Sequence, residues 1–304
     1  MKNRSMTLRF IAWTFGISYS IGLIFFYLAK FTEIFKQTPS LALMILVFYM
    51  WVPALVSMVL IKLIHGERLS DYGLRFRLNR GWIGAWVYPI LTGFLTVAVC
   101  VVLGIGVWDP GFSAYIAEQA AQLTPEQFAQ AKEQLGSLSL TTIALMVISQ
   151  GIVAGTTINA LAAFGEELGW RGLLYTNLRP MGFWRANLLI GFIWGLWHAP
   201  IIAAGHNFPK HPIAGIFVMT LGSMVLALLI GHVRERSGSV IAAAIYHGVF
   251  NASAGVSIML IAGAPNILRS PLGLAGVVAM AILIAVSYLW FGLGRREAST
   301  QPRL

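Results

Sequence analysis

Long apolar runs separated by short polar loops dominate this chain. A helix needs about 20 consecutive apolar residues to cross a bilayer. Eight runs are candidates, at residues 10–29, 41–64, 81–107, 138–178, 186–205, 213–233, 240–262 and 272–293. The fourth is too long for one span, and the sequence leaves open whether it is one tilted helix or breaks near Gly151 and Gly155. The pattern predicts an all-α, polytopic integral membrane protein with eight transmembrane helices.

The composition supports a membrane protein and argues against a nucleic-acid-binding one. The 304 residues are 58% hydrophobic and only 11% charged, unlike an ordinary soluble domain. The net charge is +10, but the basic residues flank the apolar runs instead of forming one block. Cys100 is the only cysteine, which excludes an intrachain disulfide and a cysteine-based metal site. We therefore expect the lipid bilayer, and no nucleic acid, as a partner.

Lysine and arginine are distributed unevenly between the two sides of the predicted bundle. With eight spans, the termini and the even loops share one side, which carries Lys2, Arg4, Arg9, Arg68, Arg75, Arg77, Arg80, Arg171, Arg179, Arg185, Arg234, Arg236, Arg295, Arg296 and Arg303. The other side carries Lys30, Lys36, Lys132, Lys210 and Arg269. The positive-inside rule predicts that both termini are cytoplasmic, in a plasma membrane of the bacterial type.

One polar insertion, residues 108–138, interrupts the apolar pattern. It is rich in acidic residues and falls on the outer side in this topology. Thr124 followed by Pro125 is typical of a helix start, so we expect a short surface helix there. The sequence contains no internal repeat and no separate soluble domain, so residues 1–304 are predicted to form a single membrane-embedded domain.

Residues 164–172, Phe-Gly-Glu-Glu-Leu-Gly-Trp-Arg-Gly, place three formal charges in the fourth apolar run. A charge within hydrocarbon costs at least a few kcal/mol, so such groups usually face the bundle interior and mark a site. Glu167 and Arg171 are spaced i,i+4 and are predicted to form an ion pair. Glu166 points about 100° away and has no partner in its own segment. Glu166 is thus the candidate catalytic carboxylate. The alternative is that both glutamates surround Arg171 at the membrane interface, with their charged ends reaching water.

Three further polar residues, His198, His247 and Asn251, interrupt later apolar runs. At about 1.5 Å of rise per residue, they lie about 16, 12 and 18 Å into their predicted helices, and Glu166 lies about 19 Å from the end of its own. A single histidine or asparagine in a membrane helix more often forms a hydrogen bond to a neighbouring helix than takes part in catalysis. Four such groups at similar depth instead predict one polar cavity that opens toward the cytoplasmic side.

These residue types suit the hydrolysis of an amide bond. A desolvated carboxylate is a general base for water, and imidazole can transfer a proton. Imidazole and amide N–H groups can stabilise an oxyanion, so no serine or cysteine nucleophile is needed. Zinc held by Glu166, His198 and His247 is the alternative. Because no H-E-x-x-H sequence is present, we favour a site without metal or other cofactor.

At these residues the sequence resembles the CAAX-protease and bacteriocin-processing family of intramembrane proteases, also called the abortive-infection family. The family includes the type II CAAX prenyl endopeptidases. Its EExxxR, FxxxH and HxxxN motifs are matched in order over residues 164–251, by Glu166, Glu167, Arg171, His198, His247 and Asn251. Trp194 stands where the second motif has phenylalanine.

The resemblance implies a role for each matched residue. Glu166 and His198 would activate water, His247 and Asn251 would form the oxyanion hole, and Glu167 and Arg171 would support them. The chain is thus predicted to be an intramembrane endopeptidase with a glutamate mechanism. Its substrate would be a peptide or protein at the membrane, either a prenylated CAAX tail or another membrane-associated peptide.

Two other functions would use the same polar cluster. A non-catalytic bacteriocin-immunity or scaffold protein could bind peptides in this cavity. A proton-coupled transporter could relay protons through Glu166. The transporter is disfavoured, because the sequence has no repeat and no pair of interrupted helices in corresponding halves.

Overall fold

A computed structural model describes residues 3–119, 124–290 and 293. The helices are α1 (Arg4–Phe31), α2 (Ile34–Gln37), α3 (Pro39–Met58), α4 (Gly84–Val102), α5 (Ser113–Gln119), α6 (Pro125–Gly136), α7 (Leu140–Ala154), α8 (Ala160–Glu167), α9 (Tyr175–Leu178), α10 (Phe183–Trp197), α11 (Ala199–Ala203), α12 (Pro212–Ser237), α13 (Val240–Ser253), α14 (Val256–Leu260), α15 (Asn266–Arg269) and α16 (Leu274–Trp290). In the described residues, these helices are extended or connected by three π-helical segments (Val59–Ile64, Gly155–Asn159, Leu168–Leu174) and three 3-10 turns (Leu69–Tyr72, Arg80–Trp82, Arg179–Met181). Strands β1 (Val107–Trp108) and β2 (Ile261–Ala262) pair antiparallel, Val107 opposite Ala262. Predictions made for Lys2, residues 120–123, Arg295, Arg296 and Arg303 fall outside the described residues.

The predicted all-α, multi-pass architecture is confirmed. In the described part of the chain, seven helical segments are long and apolar enough to cross a membrane: Arg4–Phe31, Pro39–Ile64, Arg80–Val102, Leu140–Met181, Pro212–Ser237, Val240–Leu260 and Asn266–Trp290. The count differs from the predicted eight because residues 186–205 do not form one helix. They belong to α10 and α11, which meet at His198.

Pro200 explains this break in the helix. It has no N–H to donate to the carbonyl of Leu196, four residues earlier. Hydroxyl groups of the first two spans bind the carbonyls at the break instead. Tyr19 donates to Leu196 O at 2.8 Å, and Tyr49 donates to Trp197 O. An unpaired carbonyl at membrane depth costs several kcal/mol, so these tyrosines allow a helix to end inside the bundle.

The fourth apolar run is one helical segment of 42 residues, Leu140–Met181, which answers the question that the sequence left open. It does not break near Gly151 or Gly155. Instead, π-helical geometry flanks α8 on both sides, at Gly155–Asn159 and at Leu168–Leu174. Single π-helical turns are rare and often occur at functional sites, because the wider turn changes the direction in which the following side chains point.

Glycines allow this helix to pack closely against α13. A Cβ atom on Gly248 would lie 2.3 Å from the carbonyl oxygen of Gly155 and 2.4 Å from the backbone nitrogen of Ala160. Only a residue without a side chain permits two membrane helices to approach at such a point. The contact lies beside His247, and it brings that histidine within reach of the charged residues of the fourth span.

We expect Gly248→Ala to destabilise the protein by about 1–3 kcal/mol, because the added methyl group meets backbone atoms that cannot move aside. The measurement is the unfolding free energy of the purified protein in detergent. Gly16→Ala in α1 is the matched control, since a Cβ atom there has no neighbour within 4 Å. Equal stability of the two variants would contradict the proposed close packing.

The polar insertion folds against the end of the bundle predicted to lie outside. The expected helix start is confirmed as a capping box: Thr124 Oγ1 accepts from Gln127 N at 3.3 Å, and the Gln127 side chain accepts from Thr124 N at 2.9 Å. The buried Arg269 of α15 donates to both carboxylate oxygens of Glu118, at 2.9 and 2.8 Å. This charge-assisted contact, in which Nη2 alone reaches both oxygens, fixes α5 to the rest of the fold.

Candidate active site

Glu167 lies at the centre of a buried polar cluster between α8, α10 and α13. Its Oε1 accepts a hydrogen bond from Arg171 Nη1 at 3.1 Å and contacts His247 Nδ1 at 2.9 Å. The Glu167 and Arg171 side chains are fully buried, and His247 is 5% exposed. The predicted i,i+4 ion pair is therefore present, and a histidine from another span extends it. Two partners on one oxygen hold this carboxylate in place.

Glu166 binds a different partner. Trp194 Nε1, from α10, donates to its Oε2 at 2.6 Å. The Glu166 side chain is 2% exposed and lies within electrostatic range of His247, Glu167 and Arg171. Its other oxygen, Oε1, has no hydrogen-bond partner among the described residues. The carboxylate is thus oriented through one oxygen, and the second remains available to a water molecule or substrate.

Each histidine of the cluster uses Nδ1 in its hydrogen bond. His198 Nδ1 lies 2.9 Å from the carbonyl oxygen of Trp194. Because a carbonyl only accepts, this Nδ1 carries the proton, and neutral His198 presents an unprotonated Nε2. His247 Nδ1 faces the Glu167 carboxylate in the same way. Its Nε2 can therefore donate only when the ring is an imidazolium, for which Glu166 and Glu167 are the neighbouring counter-charges.

Trp194 contacts four of the six predicted site residues. Besides its hydrogen bond to Glu166, its ring lies 4.7 Å from Arg171 Cζ and its centroid lies 5.3 Å from that of His247. Its carbonyl holds His198. The sequence showed only that tryptophan stands where the motif has phenylalanine, and that the position is aromatic in either case. The signal that could have revealed more is the indole N–H, since a buried indole usually needs an acceptor.

We expect Trp194→Phe to lower kcat about tenfold and to leave KM within about threefold, because it removes a hydrogen bond to a charged group and keeps the aromatic packing. Steady-state peptide hydrolysis gives both constants. Trp170→Phe is the matched control: Trp170 is equally buried, and its Nε1 has no hydrogen-bond partner in the described chain. If both variants kept full kcat, the Trp194 N–H would have no role in positioning Glu166.

Asn251 differs from the other predicted residues in its exposure. It follows His247 by one turn of α13, so both lie on the same side of that helix. Its side chain is exposed, whereas Glu166, Glu167, Arg171, His198 and His247 are all buried. The structure brings those five together in one cluster and leaves Asn251 a turn away. Asn251 therefore differs from the other five in being accessible from outside the protein.

The metal alternative depends on Glu166, His198 and His247. Within residues 3–119 and 124–290, no three His, Cys, Asp or Glu side chains are grouped as metal ligands. Glu166 Oε2, His198 Nδ1 and His247 Nδ1 are already bonded to protein groups. Glu166 Oε1, His198 Nε2 and His247 Nε2 are the atoms that a metal would use, so the zinc alternative stays a prediction.

Fold and site together define a polytopic helical membrane protein with an acid and histidine cluster buried between its spans. The family model described as type II CAAX prenyl endopeptidase Rce1-like matches residues 143–253, which include all three motifs. A CAAX prenyl protease 2 from Methanococcus maripaludis is 41% identical over 49 residues, which are 16% of this chain and 18% of that relative. Over this region the chain is similar to the CAAX protease family, in agreement with the resemblance of its motifs.

Proposed function

We propose that this protein is an intramembrane endopeptidase that cleaves a membrane-associated peptide or protein. The observation that carries the proposal is the environment of Glu166. It is a buried carboxylate with one oxygen held by Trp194, the other without a partner among the described residues, and two histidines in the same cluster. The family match over residues 143–253 supports peptidase chemistry. The name of the similar archaeal protein suggests a CAAX-type substrate.

In the proposed reaction, Glu166 Oε1 accepts a proton from water while the water oxygen attacks the scissile carbonyl carbon. His198 Nε2 accepts a hydrogen bond from the same water and orients it. The carbonyl oxygen becomes an oxyanion, which His247 Nε2–H and the Asn251 amide stabilise. Glu166 then returns its proton to the leaving amine as the C–N bond breaks. A positioned general base contributes about 10²–10⁴-fold, and one oxyanion donor about 10²–10³-fold.

The supporting residues Glu167 and Arg171 act on His247 and not on the attacking water. Arg171 neutralises Glu167, and Glu167 orients His247 through its Nδ1. Such an arrangement fixes the direction of His247 Nε2. The exposed position of Asn251 suits a residue that meets an entering peptide, since the other donors are enclosed. We further propose that α10 and α11 together make an eighth crossing, so that both termini are cytoplasmic and the cavity opens to that side, in a plasma membrane of the bacterial type.

The function can be tested with the purified chain in lipid vesicles. The substrates are a farnesylated peptide ending in a CAAX sequence, the same peptide without the lipid, and a membrane peptide with an unrelated C-terminus. Mass spectrometry of the products locates the cleaved bond. Cleavage of the CAAX peptide is the expected result. Cleavage of the unrelated peptide alone would retain the endopeptidase and reject CAAX processing, and binding without any cleavage would favour the scaffold function.

We expect peptide hydrolysis to withstand exhaustive chelation, with less than about twofold loss, because the proposed general base is a carboxylate and no step uses a metal. Elemental analysis of the purified protein measures bound zinc in the same sample. One zinc per chain, together with activity that chelation removes and zinc restores, would overturn the glutamate mechanism in favour of the metal alternative.

A further inference from the structure

A second polar pocket lies at the end of the bundle that carries the basic loops, and its volume is about 310 Å³. Three separate segments line it: Ser70, Asp71, Gly73 and Arg75; Tyr175, Thr176 and Arg179; and Arg234, Glu235 and Gly238. None of the six predicted site residues is among them. We propose that this pocket binds the phosphate-bearing headgroup of an anionic membrane lipid.

The charges around the pocket favour an anion. Three guanidinium groups, of Arg75, Arg179 and Arg234, face two carboxylates, of Asp71 and Glu235, so one positive charge is in excess. The two ion pairs are loose, since Arg75 lies 3.9 Å from Asp71 and Arg179 lies 3.8 Å from Glu235. The Arg75 and Arg179 side chains are 62% and 70% exposed. Arg75 is anchored through its Nε, which donates to the carbonyl of Ser70 at 2.7 Å, and its terminal nitrogens are left for a phosphate. Arg179 makes only its loose contact with Glu235 and can turn toward the same phosphate.

Arg234 is the fixed element of this site. Its Nε donates to the carbonyl of Arg171 at 3.0 Å, and its Nη2 donates to the carbonyl of Tyr72 at 3.3 Å. Gly73, with φ of +86°, makes room for it, because a Cβ atom there would lie 1.9 Å from Nη2. No carboxylate of the described residues lies within ion-pair distance of Arg234. A preset guanidinium without a carboxylate partner is a ready phosphate ligand.

The surroundings of the pocket indicate a lipid headgroup and not a free phosphate ion. Residues 75–78 read Arg-Phe-Arg-Leu, and Phe76 and Leu78 are 71% and 68% exposed. Large apolar side chains that alternate with arginines suit the headgroup level of a bilayer. Basic pockets between span ends bind anionic headgroups, and the volume lies near the lower end of about 300–1,000 Å³ for ligand sites. The phosphate would occupy the pocket, and the acyl chains would remain in the bilayer.

The test uses the full chain in a neutral detergent and measures binding of dihexanoyl phosphatidylglycerol. Dihexanoyl phosphatidylcholine and inorganic phosphate are the comparison ligands. The variant is Arg75→Gln/Arg179→Gln. The control is Arg185→Gln, which removes one exposed charge at the start of α10, outside the pocket. We expect phosphatidylglycerol to bind the double variant about thirtyfold more weakly than the wild type, and Arg185→Gln to change binding less than about twofold.

Three results would overturn the proposal. Equal binding of the two lipids would show that anionic charge is not recognised. Inorganic phosphate that binds as tightly as the lipid would identify a free-phosphate site. An equal loss in Arg185→Gln would indicate general surface charge. Arg234→Lys is the second variant: it keeps the charge and removes the planar fork, and we expect it to lose binding while its lipid-free melting temperature reports folding. The readout is binding, so its failure leaves the proposed peptidase function untouched.

Discussion

Glu166→Gln is expected to lower peptide hydrolysis by about 10²–10⁴-fold without unfolding the protein. The amide cannot accept a proton from water, so the proposed general base is lost. It keeps the size of the carboxylate, and its oxygen can still accept the Trp194 hydrogen bond. The measurements are the rate of cleavage in vesicles and the melting temperature of the same preparation.

Two comparisons make this result specific. Glu33→Gln removes a carboxylate from an exposed ion pair with Lys36, which is not part of the cluster, and should leave the rate unchanged. Glu167→Gln removes the neighbouring carboxylate and should affect stability as well as rate, because Glu167 holds both Arg171 and His247. Full turnover by a folded Glu166→Gln protein would end the proposed mechanism.

Arg171→Met should lower the free energy of unfolding by about 3–5 kcal/mol, since it leaves the buried Glu167 carboxylate without its cation. The pair is incompletely satisfied even in the native state. Arg171 Nε, Arg171 Nη2 and Glu167 Oε2 are buried and have no hydrogen-bond partner among the described residues. Such a pair stabilises less than its charges suggest, and removing one member costs more than removing both.

The double variant Glu167→Leu/Arg171→Met therefore tests whether the stability lost in Arg171→Met comes from the unpaired Glu167 charge or from the lost packing of the arginine side chain. We expect it to regain most of the stability lost in Arg171→Met and to remain impaired in hydrolysis, since His247 has lost the carboxylate that orients it. Unfolding in mixed detergent micelles measures the first effect. Strictly additive losses would show that the two side chains are not energetically coupled. Lys36→Met, in an exposed pair, should change stability by less than about 1 kcal/mol.

The cluster shows where prediction from the pattern succeeds. The i,i+4 spacing of Glu167 and Arg171 predicted their ion pair, because helix geometry alone places those side chains together. The number of long spans was predicted less well. Pro200 interrupts the run that contains His198, and apolar composition does not reveal whether neighbouring tyrosines can bind the freed carbonyls.

Sequence alone determined that the chain is a helical membrane protein and that Glu166, His198, His247 and Asn251 are its anomalous polar groups. The reason is that charged and polar groups are costly in hydrocarbon, so their positions can be read from the chain itself. Tertiary structure decided which groups meet: that Trp194 holds Glu166, that His247 turns to Glu167, and that Asn251 remains exposed. Those contacts join separate spans, and they depend on how closely the helices approach and how each is rotated, which the sequence of a single span does not specify.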